Sequence, residues 1–265
     1  MLINAVPQWQ GAISPRAKGL VEGCRALSEL AGHVLGKPVH HVRQDAATSD
    51  VVAGIANRSV LTGTNRQLQL AALEAPEGPV LTIGGDCGVE LVPVGVARFR
   101  YGATLGVAWF DAHADLNTAD SSPSGAYHGM VLRSLLGEGD KDFAASPAIE
   151  RGQAVLFGTR SLDSAEEEAI AGGLAVRSDD VAGALNAAGA DRVYLHVDLD
   201  ILDPEEFPGV NYPEPGGLTI AELAEAIDGL SGMEVVGAGI TECVGTEVAA
   251  LEPVLAAVGR VLMEG

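Results

Sequence analysis

The feature that most restricts what this chain can fold into is a series of short, almost continuously apolar, β-rich runs separated by segments of helical periodicity. The runs occupy Ile3 to Val6, Val39 to Val42, Val80 to Ile83, Leu105 to Phe110, Ala154 to Phe157, Leu174 to Val176, Val193 to Val197 and Val235 to Ile240. Helical patterns cover Pro15 to Val34, Asn65 to Leu73, Val181 to Ala188, Ile220 to Leu230 and Val248 to Met263. A strand with one wet face alternates apolar and polar residues, whereas a strand covered on both faces reads as an apolar run. The pattern therefore predicts an α/β chain, a three-layer α/β/α sandwich around a mostly parallel sheet. A closed eight-stranded barrel would use the same runs, but their irregular spacing and the long polar segments at 111–128 and 199–217 favour the open sheet.

With 265 residues, 47% of them hydrophobic, the chain buries a full core, and no linker or repeat divides it, so residues 1–265 are read as one domain. Aromatic residues make up only 4%, which suits close helix-on-sheet packing by small aliphatic side chains. The formal charge of −20 argues against nucleic acid and anionic membrane as partners, because either needs clustered Lys and Arg. The opening MLINAVPQWQG lacks the features of a secretory signal, and no apolar run reaches membrane-spanning length. Cys24, Cys87 and Cys243 are odd in number and far apart, which fits reduced thiols in the cytoplasm.

Open parallel sheets hold their ligands beyond the carboxyl ends of the strands. Acidic and thiol side chains collect at four such ends. The strand ending in WF runs into Asp111, His113 and Asp115; VYLHV is followed by Asp198 and Asp200, with Asp203 close behind; GGDC places Asp86 and Cys87 after a third strand; GAGIT ends at Glu242. Crowded carboxylates repel one another and take up protons unless cations stabilise their ionised forms. Cys87, Asp111, His113, Asp115, Asp198 and Asp200 suffice for two metals if carboxylates bridge, and two metals sharing a water give hydrolysis without a protein nucleophile. The alternatives for each piece alone are a capping Asp, a solvated loop His, or a small thiol filling a gap in the core.

Taken together, GGDC at 84–87, WFDAHADLN at 109–117, SGAYHG at 124–129, HVDLDILDPEEFPG at 196–209 and ITEC at 240–243 resemble the ureohydrolase family of arginase and agmatinase. The resemblance implies an eight-stranded parallel sheet, two Mn²⁺ ions, hydrolysis of a guanidinium to urea and an amine, and a homo-oligomer, a trimer or hexamer. By position, Cys87, Asp111, Asp115 and Asp198 would hold the first metal, and Asp111, His113, Asp198 and Asp200 the second. His128 matches the family's proton-transfer histidine, and Glu242 the carboxylate that pairs with the guanidinium. Asn117 and Ser124 match groups that receive an α-carboxylate, while Asp163 and Glu166 match acids near the α-amino end. Ala126 and Ser161 replace further contacts of that kind.

The chief departure is Cys87, where the family normally has histidine. The same replacement in the branch that hydrolyses Nω-hydroxy-L-arginine suggests that compound, arginine or a related guanidino acid as substrate, with hydroxyurea or urea as product. Agmatine, guanidinobutyrate and formimidoylglutamate are same-class alternatives, and a non-catalytic metal-binding regulator is the alternative of another class. A thiolate is softer than imidazole, so Zn²⁺, Fe²⁺ or Co²⁺ competes better with Mn²⁺. His196 lies on the same side of its strand as Asp198 and Asp200. It reads first as a satisfied core histidine, then as a partner behind the metal ligands, and last as a replacement ligand.

Overall fold

The computed structural model describes residues 1–74 and 78–264. The strands are β1 (Leu2–Val6), β2 (Val39–His41), β3 (Val80–Gly84), β4 (Leu105–Phe110), β5 (Ala154–Phe157), β6 (Val176–Arg177), β7 (Arg192–Asp198) and β8 (Glu234–Thr241). They form one sheet in the order β2-β1-β3-β8-β7-β4-β5-β6, and every pairing is parallel. Each predicted run contributes a strand. The sixth is displaced: Leu174 and Ala175 are buried in the turn leading in, and only Val176 and Arg177 pair with β5.

Side-chain alternation divides β4 between two cores. Leu105, Val107 and Trp109 pack with Val94, Ala97, Leu132 and Leu135 on one face; Ala108 and Phe110 pack on the other with Val181, Leu185, Leu223 and Leu255. Helices therefore cover both faces, and the fold is the three-layer sandwich expected from the apolar runs. The helices Gly19–Leu35, Arg66–Ala72, Val181–Ala187, Ile220–Asp228 and Glu252–Glu264 fall within the predicted segments to within a few residues. Helices at Leu91–Tyr101, Val131–Leu135 and Ser164–Ala171 were not predicted. In the first of these Pro93 masks the signal, although it lies in the first turn, where no backbone N–H is needed. Among the described residues no helix is long and apolar enough to cross a membrane.

The strand order decides where chemistry collects. The ends carrying Cys87, Glu242, Asp198 and Asp111 belong to β3, β8, β7 and β4, which are four consecutive neighbours at the centre of the sheet. At about 4.8 Å per strand these ends span roughly 15 Å. The GAG of β8 keeps the space beneath them open: a Cβ on Gly237 would lie 2.9 Å from the Tyr194 ring, and one on Gly239 would collide with the Glu90 carboxylate at 1.7 Å.

Candidate metal centre

Short turns aim the acidic side chains at one another. The Asp111 carboxylate accepts the His113 backbone N–H (2.7 Å) and the Trp109 indole N–H (3.1 Å), and Asp198 accepts the Asp200 backbone N–H (2.8 Å). Asp115 and Glu242 adopt left-handed φ values of 53° and 64°, unfavourable for residues with a Cβ, and such strain collects at functional sites. The Glu242 N–H donates to the Gly85 carbonyl (2.7 Å), which ties the end of β8 to the turn bearing Cys87. Asp86 faces away from the cluster and holds that turn, accepting from Gly11 N (2.9 Å), Gly88 N (2.8 Å) and Gln8 (3.2 Å).

Three groups of potential ligands result among the described residues. Ligand atoms of Asp111, His113 and Asp200 lie within 4.8 Å of one another, as do those of Cys87, Asp111, Asp115 and His196. Cys87, Asp198 and Glu242 make the third, so Asp111 links the first two groups and Cys87 the last two. His113 Nδ1 is 2.9 Å from Asp200 Oδ2 and 3.6 Å from Asp111 Oδ1. The Cys87 thiol lies 2.9 Å from Asp198 Oδ2 and 3.0 Å from Thr241 Oγ1.

Electrostatics expose a missing positive charge. Burial, together with the Asp111 and Asp200 charges respectively, pushes Asp115 and Asp198 well above the usual carboxylate range. Burial and the Asp111 charge carry Asp200 to about 6. Burial and Asp198 raise the Cys87 thiol. Against its own burial, His113 is pushed strongly up by Asp111 and Asp200, so that in the metal-free chain it serves as a local cation. Asp115 Oδ2 is buried with no hydrogen-bond partner, and the ion pairs made by these carboxylates among the described residues are to histidines. Buried oxygens converging on a common point, with a thiol and imidazoles among them, fit divalent cations.

This predicts an unusual pH response of the metal-free protein. Asp86, raised by burial and by Glu242 to about 7, and Asp200, at about 6, hold protons that the unfolded chain releases near 3.8. His113 and His128, both raised, keep protons above pH 6.5 that the unfolded chain releases, so the stability they contribute shrinks as pH climbs from there. Both effects have the same sign, so stability falls with rising pH. Carboxylates with lowered values, Asp111, Asp140, Asp203 and Glu222, act only below about 4.5. The melting temperature of chelator-treated protein is expected to drop between about pH 5 and pH 8, and loading with a divalent cation to reverse the trend; calorimetry across that range checks it.

Above the cluster a cavity of about 250 Å³ is lined by His113, Asp115, Asp198, Asp200 and His128, and on its outer side by Asn117, Ser124, Asp163 and Glu166. Cys87, Asp111 and Glu242 lie beneath it, all buried. Glu242 Oε1 is 3.2 Å from His128 Nδ1 and 3.3 Å from the Cys87 N–H. Both Glu166 oxygens accept backbone N–H groups, from Leu116 and Asp163 (2.9 Å each), and Asn117 donates to Asp163 (2.8 Å). Asn117, Asp163 and Glu166 thus form one hydrogen-bonded wall, with Ser124 beside it.

Residues 38–247 match the family model described as the arginase family. The chain belongs to the arginase family. The arginase of Bacillus caldovelox is 36% identical over 175 residues, 59% of this chain and 58% of that one. The N(omega)-hydroxy-L-arginine amidinohydrolase of Streptomyces lavendulae is 30% identical over 246 residues, 88% of this chain and 86% of that one. Among solved structures, native B. caldovelox arginase superposes with a TM-score of 0.83 at 25% identity, covering 99% of this chain and 98% of that chain. The aligned region spans only 58% and 64% of the B. caldovelox and Staphylococcus aureus arginases.

Within the arginase fold, several neighbours of the cluster went unrecognised in the sequence. Trp109 both donates to Asp111 and stacks on His196, with ring centroids 3.6 Å apart. Its position two residues before Asp111 on an alternating strand was the available signal. Glu214 Oε1 stands 3.7 Å from His113 Nε2, and Tyr212 lies 5.2 Å from the His128 ring. Both come from the long segment after β7, whose path no local pattern dictates.

Proposed function

We propose that this chain is a binuclear metal-dependent hydrolase acting on the guanidino group of arginine, Nω-hydroxyarginine or a closely related guanidino acid. The observation that carries the reading is the convergence of Asp111, His113, Asp115, Asp198 and Asp200 beneath one cavity, with Cys87 below and His128 at the rim. Cys87, Asp111, Asp115 and Asp198 are assigned to one cation, and Asp111, His113, Asp198 and Asp200 to the other. Family membership makes Mn²⁺ the first choice, and the thiol admits Zn²⁺, Fe²⁺ or Co²⁺. Held by these residues, such cations would supply the acidification of water that hydrolysis of a guanidinium requires.

The protein's part is orientation and proton transfer. Asp115 has a free oxygen with which to orient the attacking water. His128 stands at the cavity wall with Nδ1 held by Glu242, leaving Nε2 to deliver a proton to the leaving amine. The Glu242 charge, buried just behind, attracts the guanidinium over the cluster. The Asn117, Ser124, Asp163 and Glu166 wall is where the α-carboxylate and α-amino ends are read. A cytoplasmic setting fits the three free, buried cysteines.

Because the Glu242 charge raises His128 against its burial, Glu242→Gln is expected to move the alkaline limb of kcat to lower pH and to reduce kcat/KM by about 10² to 10³. A pH–rate profile of the two proteins checks this. The substrate is tested by release of urea or hydroxyurea from arginine, Nω-hydroxyarginine, agmatine and guanidinobutyrate, and of formamide from formimidoylglutamate, each with Mn²⁺, Co²⁺, Fe²⁺ or Zn²⁺. Turnover restricted to compounds with an α-amino acid end supports the proposal; preference for agmatine or guanidinobutyrate contradicts the role of the outer wall. No turnover of any of them with any metal points to a regulator.

A further inference from the structure

We infer that His196, backed by Glu90, is a ligand of the first metal, so that this site is a mixed thiolate, imidazole and carboxylate set formed with Cys87, Asp111 and Asp115. The inference rests on the two-metal reading above. His196 is fully buried at the end of β7, two residues before Asp198 and on the same face. Its Nε2 lies 3.7 Å from Cys87 Sγ and 3.9 Å from Asp111 Oδ2. A nitrogen and a sulfur at about 2.1 and 2.3 Å from one tetrahedral cation are separated by about 3.6 Å. The observed separation is that of two ligands around a common ion.

The other edge of the ring supplies the independent observation. His196 Nδ1, both oxygens of Glu90 and the Tyr194 hydroxyl that also faces Glu90 are buried without a hydrogen bond of good geometry, and Nδ1 is 3.9 Å from Glu90 Oε1. Leaving an acid and an imidazole nitrogen unpaired in the core is costly. With Nε2 given to a cation, the proton must sit on Nδ1, facing Glu90, and the charge of the cation acting through the ring compensates the buried carboxylate. That is the carboxylate–histidine–metal arrangement that fixes the tautomer and orientation of ligating histidines. The sequence accommodates it on every side: Trp109 stacks on the ring at an interplanar angle of 22°, and Gly239 leaves the space that the Glu90 carboxylate occupies. Such a donor set favours Zn²⁺, Co²⁺ or Fe²⁺ over Mn²⁺ at this position.

The test loads the full-length protein and its His196→Gln, Glu90→Gln and Cys87→Ser variants with Co²⁺. It records bound cobalt per chain, the thiolate-to-cobalt absorption band, and the number of imidazole ligands by X-ray absorption. Unmodified protein is expected to hold two ions with two imidazoles between them, His113 and His196. His196→Gln is expected to lose one imidazole and retain one ion, and Glu90→Gln to keep both ligands while first-site affinity falls about 10- to 100-fold. One imidazole per two ions in the unmodified protein overturns the inference without requiring any variant to fold, as does a cooperatively melting His196→Gln protein with unchanged spectrum and stoichiometry. A thiolate band and two bound ions alongside either result leave the two-metal reading standing. Their absence from the unmodified protein removes that reading and the inference together.

Discussion

Asp111→Asn is expected to cut metal content from two ions per chain to at most one and to lower kcat by on the order of 10³-fold or more, about 4 kcal/mol at 1.36 kcal/mol per decade. Asp111 is the residue that both local ligand groups share when Cys87, Asp115 and His196 form one and His113 and Asp200 the other. Its carboxylate is held below the usual range against complete burial chiefly by His113, which hydrogen-bonds to it and sets a positive charge beside it. An amide of the same shape can still accept from the Trp109 indole but carries no charge to share between two cations. The loss is therefore expected in chemistry and metal content while the cooperative fold survives. Elemental analysis beside steady-state kinetics checks it, and a variant keeping both ions and full kcat would falsify the bridging role.

Cys87→His is expected to behave as an overpacked core, not as a simple restoration of the family ligand. Cys87 is 1% exposed, with His196, Thr241 and Asp198 already against its sulfur. Adding an imidazole beside the His196 ring forces side chains off their rotamers, at a cost of about 1 to 3 kcal/mol. It also places two imidazoles where the space holds one. Removing the second ring should relieve the strain, so Cys87→His/His196→Ala is expected to melt higher than Cys87→His alone and to bind Mn²⁺ in preference to Zn²⁺. Melting curves of the single and double variants, with Mn²⁺ and Zn²⁺ competition, decide the matter; equal stability of the two variants and unchanged metal preference would contradict it.

The sheet was largely legible in the sequence because strands buried on both faces leave little choice of residue, and the apolar runs mark them directly. The helix at Leu91–Tyr101 was not, since Pro93, Gly95 and the β-branched valines read locally as something else, and only packing against the sheet decides its state. At the site, Asp111, His113 and Asp115 were legible as a cluster just beyond one strand end and Asp198 with Asp200 at another. That those ends are adjacent follows from the order β3-β8-β7-β4, which no local pattern encodes. His196 shows the limit most clearly. Its side of the strand was readable, but the Trp109 ring stacked on it and the Glu90 carboxylate facing its orphaned Nδ1 come from two other parts of the chain. Without those partners a buried histidine and a ligand look alike.

The central claim is that the strand ends hold two metals around Asp111, and anomalous diffraction at the absorption edge of the loaded metal tests it most directly. Two peaks per chain are predicted, one bounded by Cys87, Asp111 and Asp115, the other by Asp111, His113 and Asp200. A single peak, or none at this edge of the sheet in crystals saturated with metal, would contradict the account.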